Sequence, residues 1–247
     1  MVNTVDKDIR WLPAGDRGLV VEFGNVIDPD INRRVHNLAQ SIIESDLIGI
    51  SYIVPTYRSL LVEYNPMNQN FDSLVNALKT LLNGLKEGKT IAPKLVEIPV
   101  IYGGEYGPDI DFVCKSSKLS IDQVIDIHSS ANYLVYMLGF TPGFPYLGGM
   151  NERIATPRLK TPRTSIPAGS VGIAEKQTGV YPIESPGGWQ LIGYTPVNLF
   201  DLAREKSVLL EPGNYVRFVP VEESMGKKIR TEVTEGTYEV KTSHFTP

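Results

Sequence analysis

The chain has one cysteine, Cys114, in 247 residues, which excludes an internal disulfide and leaves a thiolate metal site without ligands. No cationic neighbour or capping pattern marks Cys114 as reactive, so it reads as a small, partly buried side chain. Histidine is also scarce. His36, His128 and His244 lie far apart, none with a second ligand at helical spacing, so no metal site is expected. Long apolar runs are missing, and Met1 to Arg10 is polar and mixed in charge, unlike a signal peptide. The expected location is the cytoplasm, with no membrane partner. The 24 basic and 28 acidic side chains leave a net charge of -4 and form no single-sign block. A nucleic-acid partner is therefore not expected.

Two common catalytic signatures are absent. No G-x-x-x-x-G-K-[ST] loop is present to cradle phosphates, so autonomous P-loop ATP hydrolysis is not expected. Gly169-Ser170-Val171-Gly172 lacks the G-x-S-x-G spacing of a nucleophile elbow and has a strand-like setting, which makes Ser170 a turn residue.

What is present divides in two. Hydrophobic residues make up 42% of the chain, enough for a core. Residues 1–92 read as an α/β domain. Leu19 to Phe23 is a short strand between Gly18 and Gly24, and Asp28 caps a helix that starts at Pro29 and keeps Ile31, Val35, Leu38, Ala39, Ile42 and Ile43 on one face. Ile50 to Val54 and Leu60 to Tyr64 suggest a hairpin. A second helix runs from Phe71 to Leu85, ended by Gly84 or Gly88. With Leu95 to Ile101 as a last strand the order becomes β-α-β-β-α-β, the ferredoxin-like split βαβ arrangement. The stretch from Gly88 to Pro93 reads as a linker, so that strand could instead open the second domain.

Residues 93–247 read as a mainly-β domain punctuated by Gly and Pro. Its one clear helix is Ile121 to His128, capped by Ser120. Tyr133 to Leu138, Gly169 to Ala174, Trp189 to Gly193, Ser207 to Leu210 and Tyr215 to Val219 are strand candidates for a closed or nearly closed barrel. The tail from Val221 either adds a last strand or frays.

Candidate site residues lie between His128 and Trp189. His128 ends a helix, where the C-terminal dipole favours an imidazolium. In Gly139 to Gly149, rings alternate with glycine and proline, so Phe140, Phe144 and Tyr146 form either an apolar binding wall or a plug for the barrel end. Thr156-Pro157-Arg158 and Thr161-Pro162-Arg163 form a near-repeat. A polyproline II path points its arginines to different sides, about 15 Å apart, and only a turn brings both onto one anion. Each guanidinium fork suits a carboxylate or phosphate, with a solvated basic loop as the other reading. Gln177 to Pro182 and Glu184 to Gln190 join amide, hydroxyl and carboxylate groups to backbone that Gly187 and Gly188 leave open. Glu184 suits acid/base work or a turn-stabilising contact. Trp189 reads as a core or wall residue.

These stretches resemble the family of B-type subunits of 5-oxoprolinase, also called allophanate hydrolase subunit 1 or the KipI family. The resemblance is carried by Gly139 through Gly149, Ile166-Pro167-Ala168-Gly169-Ser170-Val171-Gly172-Ile173-Ala174 and Gln177 through Trp189, with His128 and the Tyr-x-Val-Tyr-x-Leu run from Tyr133 also fitting. It implies an N-terminal α/β domain followed by a cyclophilin-like β-barrel. It also implies a partner of the allophanate hydrolase subunit 2 or KipA type and, in the bacterial 5-oxoprolinase, a LamB/YcsF-type subunit, in a complex that opens 5-oxo-L-proline to L-glutamate with ATP. Other branches are carboxyltransferase parts of urea carboxylase or inhibit a sporulation histidine kinase, the alternative function for this chain. Relatives commonly carry Gly-Gly where this chain has Glu175 and Lys176. On this reading the chain is a non-autonomous enzyme subunit with ATP used at the level of the complex. Arg158 and Arg163 hold a carboxylate or phosphorylated intermediate, Gln177 and Ser185 orient it, and Glu184 or His128 moves protons.

Overall fold

The computed structural model describes residues 9–84 and 93–246. The expected linker from Gly88, the Leu85 end of the second helix and the first eight residues lie outside that range. The chain divides into two compact units, Met1–Ile91 and Ala92–Pro247.

In the first unit, strands β1 (Arg10–Ala14), β2 (Gly18–Glu22), β3 (Ile50–Pro55) and β4 (Ser59–Tyr64) form an antiparallel sheet in the order β1-β2-β4-β3. Helices α1 (Pro29–Ile43) and α2 (Phe71–Gly84) complete it. Asp28 caps α1 as its residue type predicts, with its side chain accepting from the Asp30 and Ile31 N–H groups. Alternation along β4 buries Leu60, Val62 and Tyr64, which join Leu19 and Val21 of β2 and the apolar faces of both helices in one core.

Five of the six elements in the expected β-α-β-β-α-β order are present. The sixth is not in this unit: Leu95 to Ile101 falls in β5 (Lys94–Tyr102), whose partners among the described residues all belong to the second unit. The sheet edge beside β2 is filled by β1 instead. That strand carries Pro13 and is mostly exposed, so it has no period-2 pattern to read.

The second unit is a nearly closed barrel. Its eight-stranded sheet runs β10-β9-β12-β5-β13-β6-β7, with β14 (Thr242–His244) also on β5. The strands are β6 (Tyr133–Leu138), β7 (Pro145–Gly148), β9 (Ser170–Ala174), β10 (Gln177–Val180), β12 (Gln190–Tyr194) and β13 (Tyr215–Pro220). Among the described strands of this sheet, only the β5–β13 pair is parallel. The end strands come together: a Cβ added at Gly179 of β10 would sit 3.3 Å from the Pro145 carbonyl of β7. Ile98, Val100, Tyr133, Val135, Val171, Ile173, Ile192 and Phe218 fill the interior. A separate ribbon pairs β8 (Arg163–Ile166) with β11 (Ser185–Gly187).

Helices α3 (Ile110–Ser117), α4 (Ile121–Ser130) and α5 (Glu223–Thr234) accompany the barrel. The Ser120 cap on α4 is a full capping box with Gln123. Helix α5 replaces part of the expected strand-or-frayed tail. It buries only Gly226 and Ile229, too few apolar positions to signal a helix. Ser207 to Leu210 is not a strand, although Val208 forms an isolated bridge to Phe200. Among the described residues no helix is long and apolar enough to cross a membrane.

Candidate functional site

The β8–β11 ribbon organises the site. Ser185 pairs with Ile166 and Gly187 with Arg163, across a bulge. A Cβ at Gly187 would lie 2.3 Å from the Tyr181 phenol oxygen and 2.9 Å from Ile166 Cδ1, so only glycine lets the strand pass so close to that ring. The loop bearing Arg158 is sewn to the next segment. Leu159 N–H donates to Gly188 O at 2.7 Å, and Gln190 Nε2 donates to Pro157 O at 2.9 Å.

Under the ribbon lies an aromatic cluster. Phe144 meets Tyr181, Trp189 and Tyr146 edge-on, with ring centroids 5.4 to 5.7 Å apart. Phe144 and Trp189 are buried and Tyr146 is half-buried, packed with Ile166, Ala174, Tyr181 and Leu191 in a cluster of their own. Phe140 behaves differently. It is 65% exposed at φ +62°, and Thr141 N–H closes a three-residue turn onto Gly139 O at 2.7 Å. A bulky residue in that region is strained. This turn and Val208 line a cavity of about 380 Å³.

Arg158 is exposed and has no ion pair among the described residues. Burial pushes the Tyr181 phenol up, and a hydrogen bond with the Trp189 backbone and the positive charges of Arg158 and Arg163 partly offset that. Glu184 is exposed beside Ser185, while Ser185 is 7% exposed and its hydroxyl has no hydrogen-bond partner among the described residues. Gln177 stands half-buried at the head of β10.

Two expectations need correction. Arg163 does not present an open fork. Its Nη2 donates to both Asp109 carboxylate oxygens at 2.8 and 2.9 Å, and its Nη1 donates to Trp189 O at 3.3 Å. His128 is not cationic. Its ring is fully buried, stacked on Phe218 at 4.6 Å, and desolvation pushes its pKa down to about 3. The Thr178 hydroxyl donates to Gly172 O, so it must accept from His128 Nε2–H, and Nδ1 then accepts from the Tyr102 hydroxyl, each at 2.7 Å. That pattern requires a neutral ring, out of reach of a substrate.

Asp109, Tyr181 and Gln190 were not singled out as site residues from sequence. Tyr181 and Gln190 sit inside the Gly- and Pro-rich stretch, but nothing in their spacing tells a ribbon support from any other buried polar residue. Among the described residues no group of three or more His, Cys, Asp or Glu could hold a metal ion.

Residues 9–210 match the family model described as carboxyltransferase domain, subdomain C and D. The chain belongs to that carboxyltransferase-domain family. The match ends at Leu210, ahead of β13 and β14, which still complete the barrel around β5. Within the family, the chain is similar to the B-type subunit of 5-oxoprolinase from Bacillus subtilis, at 46% identity over 89% of this chain and 95% of that protein. It is similar to the crystal structure of TTHA0988, with TM-score 0.75 and 39% identity, covering 83% of this chain. The chain spans only 40% of that structure's length. Urea amidolyase from K. lactis shares the fold, with TM-score 0.78 at 22% identity over 98% of this chain and 17% of that one.

Proposed function

We propose that the chain is the B-type subunit of an ATP-dependent 5-oxoprolinase complex that opens 5-oxo-L-proline to L-glutamate. The observation that carries this reading is the 46% identity spanning 95% of the B-type subunit from B. subtilis. The complex includes a companion of the allophanate hydrolase subunit 2 or KipA type and a LamB/YcsF-type third member, and the likeness to a longer chain, of which this one spans 40%, supports the companion. ATP is used at the level of the complex, and this chain's sequence has no G-x-x-x-x-G-K-[ST] loop. The N-terminal unit is a variant of the ferredoxin-like split βαβ, with β1 in place of the missing last strand, and the barrel is cyclophilin-like.

The site chemistry follows from what remains exposed. Opening the lactam breaks its C–N bond, places water oxygen on the carbonyl carbon and returns a proton to nitrogen. The substrate keeps a carboxylate throughout, and Arg158, exposed and without an ion pair among the described residues, supplies a fork that suits it. Glu184 is the exposed carboxylate available to take the water proton. Gln177 and the backbone at Gly187 and Gly188 orient the ring, while the Ser185 hydroxyl is buried away from it, and Phe140 faces the companion.

Arg158→Ala in the reconstituted complex tests the assignment. Loss of a charge-assisted contact of about 1.5–3 kcal/mol raises KM for 5-oxo-L-proline roughly 10- to 100-fold. An unchanged KM would remove Arg158 from the site.

A further inference from the structure

Asp109 stands at the N-cap position of α3, where a carboxylate commonly accepts from first-turn N–H groups, yet it makes no capping bond. Its oxygens are used at longer range. Both accept from Arg163 Nη2, and Oδ2 also accepts the Leu191 N–H at 2.6 Å. The Asp109 N–H in turn donates to Leu191 O at 2.9 Å. A residue that forgoes its local role in this way points to a constraint elsewhere.

That constraint can be followed bond by bond. Asp109 fixes Leu191 at the start of β12 and Arg163 at the start of β8. Arg163 reaches Trp189 O, Gly188 O receives Leu159 N–H, and Gln190 Nε2 reaches Pro157 O. Arg158 therefore sits between two residues that are both tied to the 188–190 segment. The Asp109–Arg163 pair is largely shielded, with side chains 14% and 30% exposed, and a single guanidinium nitrogen bridges both carboxylate oxygens. We propose that Asp109 is a positioning residue that, through Arg163, sets the 157–163 loop so that Arg158 meets the substrate carboxylate. The proposal rests on the functional reading above. Asp109 touches no substrate. Neutralising it removes the carboxylate that holds Arg163 Nη2 and loosens the start of β8.

The test uses the full chain carrying Asp109→Asn, Arg163→Gln or both. Trypsin cleavage at Arg158–Leu159 and Lys160–Thr161, followed by mass spectrometry, reads loop order without any activity. The complex with its companion subunits is then assayed for KM and kcat. Each single variant is expected to be cut about tenfold faster and to raise KM about tenfold with kcat within about twofold, and the double variant to be no worse than either single one. If Asp109→Asn does not fold, Arg163→Gln reads the same contact from the other side. Unchanged cleavage, additive effects in the double variant, or an active complex whose KM does not rise would overturn the proposal. If the wild-type complex opens no 5-oxo-L-proline, the functional reading fails separately, and the cleavage rates still decide whether Asp109 sets the loop.

Discussion

His128 shows how residue identity and residue role come apart. Its place in the last turn of α4 favours a cation, but the ring faces the barrel, where Tyr102 and Thr178 take both nitrogens and leave no room for a second ring proton. Desolvation outweighs the helix terminus because an uncompensated buried charge costs several kcal/mol, against at most about 2 kcal/mol from the dipole. Since the folded pKa is about 3 and the ordinary value 6.5, the unfolded chain binds a proton that the folded chain refuses between those values. The stabilisation is complete above pH 6.5 and is lost as pH falls towards 3, at about 1.4 kcal/mol per pH unit. Urea unfolding at about pH 7.5 and pH 5 should therefore show wild type losing about 2 kcal/mol more than His128→Gln on acidification. Equal losses would mean that the ring titrates normally in the folded protein. Part of this was readable: Val124 and His128 are four residues apart and share the buried face of α4. The partners were not, because Tyr102 and Thr178 are 26 and 50 residues away in sequence.

Among elements, those with a strong local signal follow the sequence closely. The Asp28–Pro29 start of α1, the capping box of α4 and the alternation in β4 each arise from contacts within a few residues. Elements set by distant partners were hidden. Strand β5 has the composition of a strand in either unit, and its pairing with β13 joins Leu95 to Tyr215. The site divides the same way. The ribbon glycines and the aromatic cluster lie in the stretch that composition marks, whereas the engagement of Arg163 depends on Asp109, 54 residues away. The β9–β10 hairpin carries a local conflict of its own, because Glu175 turns at φ +52°, a conformation that suits glycine. Its backbone still pairs with Thr156 in both directions, at 2.7 and 3.2 Å. Glu175→Gly is expected to relieve about 1 kcal/mol of strain and raise the thermal midpoint by a few degrees. A lower midpoint would show that the glutamate side chain contributes more than its backbone costs.

At the scale of the whole molecule, the barrel offers an exposed carboxylate, a strained, displayed phenylalanine and, among the described residues, an arginine without an ion pair and a buried hydroxyl without a partner. The most direct measurement is ATP-dependent release of L-glutamate from 5-oxo-L-proline by this chain alone and with its companion subunits. The account predicts glutamate and ADP formed together by the complex and neither by the isolated chain. Full activity from the isolated chain, or none from the complete complex, would contradict it.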